Sequence, residues 1–247
     1  MKRGVYILPN LFTSGSLFCG FYALIAAFNG KYLYAAVAIA IAFVFDGVDG
    51  KVARLTKTTS RFGVEYDSLA DLVAFGVAPA ILVFSWALRG YGKWGWLAAF
   101  LYVACGALRL ARFNVQVDTM EPRHFRGLPI PAAAGLITAT FLLSYRLGVR
   151  GEAHNLFILL LIFLLAFLMV SNIKYPSLKD LELLKRKPFN TLVAMILTIV
   201  VVVAEPEITL FFFALLYLVM GPLNVVRGWH KKRVAALSEE KTEPLLQ

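Results

Sequence analysis

Four aspartates fall in one short stretch of the chain, in two pairs at helical spacing. The stretch reads Asp46-Gly47-Val48-Asp49-Gly50-Lys51-Val52-Ala53-Arg54, then eight residues, then Gly63-Val64-Glu65-Tyr66-Asp67-Ser68-Leu69-Ala70-Asp71. Side chains three or four apart share a helix face, so two adjacent helices in a hairpin can gather all four carboxylates. Such a cluster is unstable alone: each buried carboxylate costs several kcal/mol after relaxation, and neighbouring anions repel. Lys51, Arg54, Lys57 and Arg61 sit on other faces or on the link between the pairs. A pair of divalent cations fits the gap better. Oxygen donors without thiolates, and with few or no histidines, favour Mg²⁺ or Mn²⁺ over Zn²⁺. Gly47, Gly50 and Gly63 flank the acids. They suit either close helix packing or a ligand that approaches the backbone.

The chain around this stretch is that of a membrane protein. Of 247 residues 60% are hydrophobic and 16% charged, yet the net charge is +10. That composition excludes a soluble domain, disorder and fibrous repeats. The excess base belongs on loops at one membrane face or on an anionic ligand, not on a nucleic-acid module. Cys19 and Cys105 lie in apolar runs and make no disulfide framework.

Eight apolar stretches stand out: 11–28, 33–45, 72–88, 94–108, 128–145, 156–171, 189–204 and 208–226. Turn-like or charged separators divide them, and no window alternates with period two, so helices are the spanning element. The expected architecture is all-α: a polytopic bundle of about eight transmembrane helices, a six-helix core plus a C-terminal pair. With both termini cytoplasmic, 20 of the 25 Lys and Arg fall inside and 5 outside, which sets the orientation. The first stretch leads into further spans and is not a cleavable signal peptide. The expected divisions are a core over 1–171, a basic connector over 172–188, a transmembrane pair over 189–226 and a cytoplasmic tail over 227–247. Lys231, Lys232 and Arg233 in that tail suit contact with anionic lipid.

The aspartate stretch matches the D-x2-D-G-x2-A-R-x8-G-x3-D-x3-D signature at Asp46, Asp49, Gly50, Ala53, Arg54, Gly63, Asp67 and Asp71. On it the chain resembles the CDP-alcohol phosphotransferases, over at least residues 5 to 150. The resemblance implies an enzyme that breaks the pyrophosphate of a CDP-linked substrate, transfers the phosphoryl-bearing part to an alcohol and releases CMP. It implies that Asp46, Asp49, Asp67 and Asp71 hold two divalent cations, Mg²⁺ or Mn²⁺, and that Asp71 is also the general base. Gly50, Arg54 and Gly63 would meet the cytidine and phosphates, with Lys57 and Ser68 assisting. Asn10 and Thr13, after Pro9, resemble the P-N-x2-T start of the first helix in many members. Ser16 stands where members often have arginine, a departure that argues against the phosphatidylglycerophosphate branch. Members are commonly dimers, so a homodimer is expected.

The acceptor has to come from other residues. Arg109 and Arg112 share a face at the end of the fourth stretch, as snorkelling side chains or as anion binders. Asn114 follows, and Arg126 precedes Gly127-Leu128-Pro129-Ile130-Pro131, a rigid entry to the next helix. The runs A-x-R-L-A-R-F-N and F-x-G-L-P-x-P-A resemble the membrane-embedded (type II) phosphatidylserine synthases. That resemblance implies L-serine as acceptor and CDP-diacylglycerol as donor, at a site facing the cytoplasm of the cell membrane. Arg109, Arg112, Asn114 and Arg126 are then the candidates for the acceptor or the lipid phosphate, and His124 a weaker one for catalysis. Rival readings are the same chemistry with inositol phosphate, glycerol phosphate or an amino alcohol, a divalent-cation transporter, and a non-catalytic lipid-binding scaffold.

Overall fold

The computed structural model describes residues 7–56, 60–116, 124–149, 156–176 and 188–242. Helices α1 (Ile7–Phe28) and α2 (Tyr32–Thr56) form a hairpin. The turn closes as helix-terminating geometry requires: Gly30 takes φ 71°, its N–H donates to the Ala27 carbonyl at 3.1 Å, and Lys31 N–H to Ala26 at 2.8 Å. Ala23, Ala26 and Ala27 of α1 and Ala35, Ala36, Ala38 and Ala42 of α2 are all buried. Small side chains let two membrane helices approach closely, which is where association in lipid gains its dispersion energy.

Helix α3 (Arg61–Tyr91) starts eleven residues before the apolar stretch that announces it. Ser60 caps its first turn by accepting from Gly63 N–H at 3.0 Å. The acids at 67 and 71 thus ride on the same rod as the following span. That rod is α-helical over Arg61–Asp71 and Ala78–Val83, π-helical over Leu72–Val77 and Phe84–Leu88, and ends in a 3-10 turn. Pro79 has no N–H to return to the Phe75 carbonyl one turn back, and no water reaches a membrane interior to replace it. Tyr102, fully buried on the next helix, donates its hydroxyl to that carbonyl at 3.0 Å. Replacing Tyr102 by Phe therefore destabilises the fold by about 1–3 kcal/mol, read as earlier unfolding in detergent. Undiminished stability would mean that another donor serves Phe75.

Helices α4 (Lys93–Gln116), α5 (Ile130–Arg146), α6 (Leu156–Val170), α7 (Pro188–Ala204) and α8 (Pro206–Thr242) complete the described bundle. Five helices are long and apolar enough to cross a membrane, at Leu8–Phe28, Tyr32–Ala53, Arg61–Tyr91, Lys93–Val115 and Pro206–Val225, while α5 and α6 are shorter and apolar. Phe18 and Phe21 of α1, Phe100 and Leu108 of α4, Phe157 and Phe167 of α6, and Phe212 and Phe213 of α8 are exposed, a surface that only lipid covers at low cost.

One feature departs from the all-α expectation. A small antiparallel ladder joins β1 (His124–Arg126) to β2 (Lys174–Pro176), pairing Phe125 with Tyr175. Gly127 continues it, with φ 80° and its N–H on the Ile173 carbonyl at 2.8 Å. Three residues per strand are too few to display a period of two. Helix α8 runs without a break across 226–227 and carries Pro222 inside it. It packs along α5 and against β2. At the end of the bundle remote from the ladder, Arg146 of α5 pairs with Glu205 and, at 3.3 Å, with Glu207 at the start of α8.

Candidate active site

The last turns of α2 and the first turns of α3 meet beside the start of α1. Asp46, Asp49 and Asp67 each present an oxygen, and these atoms lie within 4.8 Å of one another. Asp49 is the most enclosed, at 5% exposure. The Thr13 hydroxyl, also buried, donates to its Oδ2 at 2.8 Å and leans on the Pro9 carbonyl at 3.2 Å. Asp71 lies one helical turn beyond Asp67. Its carboxylate is within electrostatic reach of Asp46, Asp67 and Asp49, and of the guanidinium of Arg109. Among the described residues no Lys or Arg forms an ion pair with the three clustered acids. Three carboxylates this close, with oxygen as the only donor, fit a hard divalent cation and little else.

Next to the acids opens a cavity of ≈ 100 Å³, walled by Pro9, Asn10 and Thr13 of α1, Asp49, Gly50 and Ala53 of α2, and Ser60, Gly63, Val64 and Asp67 at the start of α3. The structure thus brings Asn10, Thr13, Gly50 and Gly63 together around one space. A Cβ at Gly63 would stand 3.1 Å from Ser60 Oγ and 3.4 Å from Asn10 Oδ1, so any larger side chain there narrows the cavity. Gly47 has nothing within 4 Å of such an atom. Close packing is found instead at Gly20, whose added Cβ would fall 2.6 Å from Ala74 Cα on α3.

The remaining candidates separate. Ser68 and Asn114 bond each other at 3.0 and 3.2 Å, and Asn114 also donates to Glu65 Oε2 at 3.0 Å. These contacts tie the end of α4 to α3. Arg109 is 9% exposed, its Nε has no hydrogen-bond partner among the described residues, and its Cζ lies 5.9 Å from the Phe113 ring centre. Arg112 turns elsewhere, donating to the carbonyls of Val170 and Ser171 at 3.3 and 3.4 Å and to Asn172 Oδ1 at 3.4 Å. A cation at the carbonyl end of α6 complements the helix dipole. Arg54 lies on α2 and Arg126 in β1, and Lys57 lies outside the described residues.

Sequence reasoning missed Ser60 and Tyr66. Tyr66 shares a 2.8 Å hydrogen bond with Ser14 of α1, locking α3 to α1 beside the acids. It sits within the signature stretch, but a tyrosine between acids carries no pairing information of its own.

The family model described as CDP-alcohol phosphatidyltransferase matches residues 6–170. A protein of Helicobacter pylori named CDP-diacylglycerol–serine O-phosphatidyltransferase is 38% identical, over 88% of this chain and 90% of that protein. One of the same name from Methanocaldococcus jannaschii is 36% identical, over 77% of this chain and 83% of that protein. The archaetidylserine synthase of Methanothermobacter thermautotrophicus is 37% identical, over 68% and 69%. With the aspartate cluster and its cavity on the matched segment, the chain belongs to the CDP-alcohol phosphatidyltransferase family.

Proposed function

We propose that the protein transfers the phosphatidyl group of CDP-diacylglycerol to the hydroxyl of L-serine, giving phosphatidylserine and CMP. The observation that carries the reading is the Asp46, Asp49 and Asp67 triplet within 4.8 Å, beside a cavity between three helices. Serine is favoured over other alcohols because the relatives above all carry it in their names. A scattered intramembrane acid set, which a cation transporter would use, is not what this hairpin presents.

In the proposed mechanism Asp46, Asp49, Asp67 and Asp71 hold two divalent cations, Mg²⁺ or Mn²⁺. When bound, these offset the diphosphate charge and the charge that builds on departing CMP. Asn10, Thr13, Gly50, Arg54, Lys57, Gly63 and Ser68 accommodate the CDP moiety, with the Arg54 guanidinium suited to a bidentate grip on phosphate. Asp71 accepts the proton of the serine hydroxyl as the serine oxygen bonds to phosphorus and the bond to CMP breaks. Being held in place makes up for the weakness of a carboxylate as base. Arg109 meets the carboxylate of serine, with Asn114 and Arg126 at the same end of the bundle, while Arg112 is taken up by the carbonyls at the end of α6.

The wider reading is a core over 1–171, a connector over 172–188, a helix pair from 189 to 226 and a tail from 227, with about eight spans in the cytoplasmic membrane as a homodimer. Both termini and the site face the cytoplasm, because the ends of the helices that carry the site also carry most of the Lys and Arg.

The test is release of CMP by the purified protein from CDP-diacylglycerol, with serine, inositol phosphate or glycerol phosphate supplied in turn. Turnover only with serine supports the reading; turnover with glycerol phosphate and not serine overturns the acceptor. Arg109→Ala raises KM for serine by about tenfold or more, as loss of a charge-assisted hydrogen bond worth roughly 1.5–3 kcal/mol requires, and changes the donor KM less. The reverse pattern would move Arg109 to the lipid phosphate.

A further inference from the structure

A second cavity, of ≈ 820 Å³, lies between the start of α2, the far end of α3 and the end of α5. Fourteen residues separate Tyr32 on its wall from Asp46 along α2, and fourteen separate Asp71 from Ser85 on its wall along α3. At a helical rise of 1.5 Å per residue, each interval is about 20 Å. The cavity therefore sits at the opposite end of both rods from the acids, at the other face of a membrane that these helices are long and apolar enough to cross.

Its walls are aromatic and turned inward. Phe141 is buried among three rings: Trp86 edge-on at 5.2 Å, Tyr32 at 6.5 Å and Tyr145 stacked at 6.0 Å. Rings that anchor a helix in the headgroup layer stay exposed, as Trp94 and Trp96 are, whereas Trp86 is 9% exposed. Inward rings around a space within the usual pocket range of about 300–1,000 Å³ suit an apolar body.

The polar groups on the wall are of one kind. Among the described residues Lys31 is the one charged side chain there, and it makes no ion pair. Glu205 and Glu207, acids at this end of the bundle, are engaged by Arg146. Ser85 is 7% exposed, and its hydroxyl has no hydrogen bond among the described residues; only its carbonyl is used, by the Tyr32 hydroxyl at 3.0 Å. The hydroxyls of Tyr34 and Tyr145 are likewise without hydrogen bonds among the described residues. An enclosed hydroxyl without a partner calls for one. A cation and three hydroxyls, with no carboxylate, complement an anion that offers several acceptor oxygens. Inorganic phosphate would leave the aromatic wall unused, and a lipid without net charge would leave Lys31 unmatched.

We propose that this cavity binds an anionic phospholipid of the leaflet opposite the acid cluster, with the phosphate on Lys31 and the Ser85, Tyr34 and Tyr145 hydroxyls, and an acyl chain along Trp86 and Phe141. The site depends neither on the choice of acceptor nor on the cations. Its occupant would tie α2, α3 and α5 together at the end of the bundle remote from the chemistry.

The experiment is thermal unfolding of the full-length protein in detergent, with divalent cations chelated, during titration with dioleoyl phosphatidylglycerol, dioleoyl phosphatidylcholine or inorganic phosphate. A ligand that binds only the folded state raises Tm. The expected result is a saturable rise with phosphatidylglycerol and none with the other two. Lys31 is exposed, so its variants keep the fold. Lys31→Glu should shift the phosphatidylglycerol midpoint upward by about tenfold or more, as loss of a charge-assisted hydrogen bond requires, and Lys31→Arg should hold it within about threefold. CMP release by Lys31→Glu without added phosphatidylglycerol should match wild type. No rise in wild type, an equal rise with phosphatidylcholine or inorganic phosphate, or an unchanged midpoint in Lys31→Glu would overturn the proposal.

Discussion

Asp71→Asn is expected to lower CMP release by about 10²–10⁴-fold, the usual worth of a positioned proton acceptor, while the protein still folds and binds CDP-diacylglycerol. The amide has nearly the shape of the carboxylate and keeps hydrogen-bonding capacity, so packing against Asp46 and Arg109 changes little. What is lost is the ability to take up the serine proton. The measurement is single-turnover CMP release beside equilibrium donor binding. Full turnover in the variant would remove Asp71 from the proton transfer, and loss of donor binding would make it chiefly a ligand of the cations.

The second large effect concerns the triplet. Chelation of divalent cations should abolish serine incorporation, and Mg²⁺ or Mn²⁺ should restore it. Asp49→Ala should not be rescued at any practicable concentration of either ion. Asp49 is at once the most enclosed acid and the one steadied by Thr13, so its removal takes an oxygen from the middle of the cluster. A readout independent of activity is thermal unfolding: a ligand that binds only the folded state raises Tm. Wild type should gain stability on adding Mg²⁺ or Mn²⁺, and Asp49→Ala should gain none. Activity that survives exhaustive chelation, with no shift of Tm on adding either ion, would sink the cation reading.

How far the site was legible in the sequence depends on the range of the interaction. The spacing of Asp46 from Asp49 and of Asp67 from Asp71 is a local property, since any helix puts such residues on one face. The hairpin that faces the two pairs toward each other follows from a short link. Thr13 and Asn10 could be connected to this cluster only through a resemblance, because nothing in α1 itself states which face meets α2. The ladder of β1 and β2 escaped notice because it joins residues about fifty positions apart by main-chain bonds, and backbone pairing of three residues leaves no side-chain pattern.

Arg109 and Arg112 make the same point within one helix. Three residues apart, they read as one anion-binding face. In the fold Arg109 is buried within electrostatic reach of Asp71 on α3, while the end of α6 lies beside Arg112, so one guanidinium is enclosed with a free donor and the other is occupied by carbonyls. The amino-acid sequence alone determined the membrane bundle, the four acids and their likeness to a phosphotransferase site, because hydropathy and helical periodicity act over a few residues. Only the tertiary structure decided which arginine is enclosed near the acids, that Tyr66 and Ser60 brace the cavity, and that α8 packs along α5 and against β2. Those contacts arise from packing between segments far apart in the chain, and helix-to-helix placement is set by the sum of many side-chain fits that no single window contains.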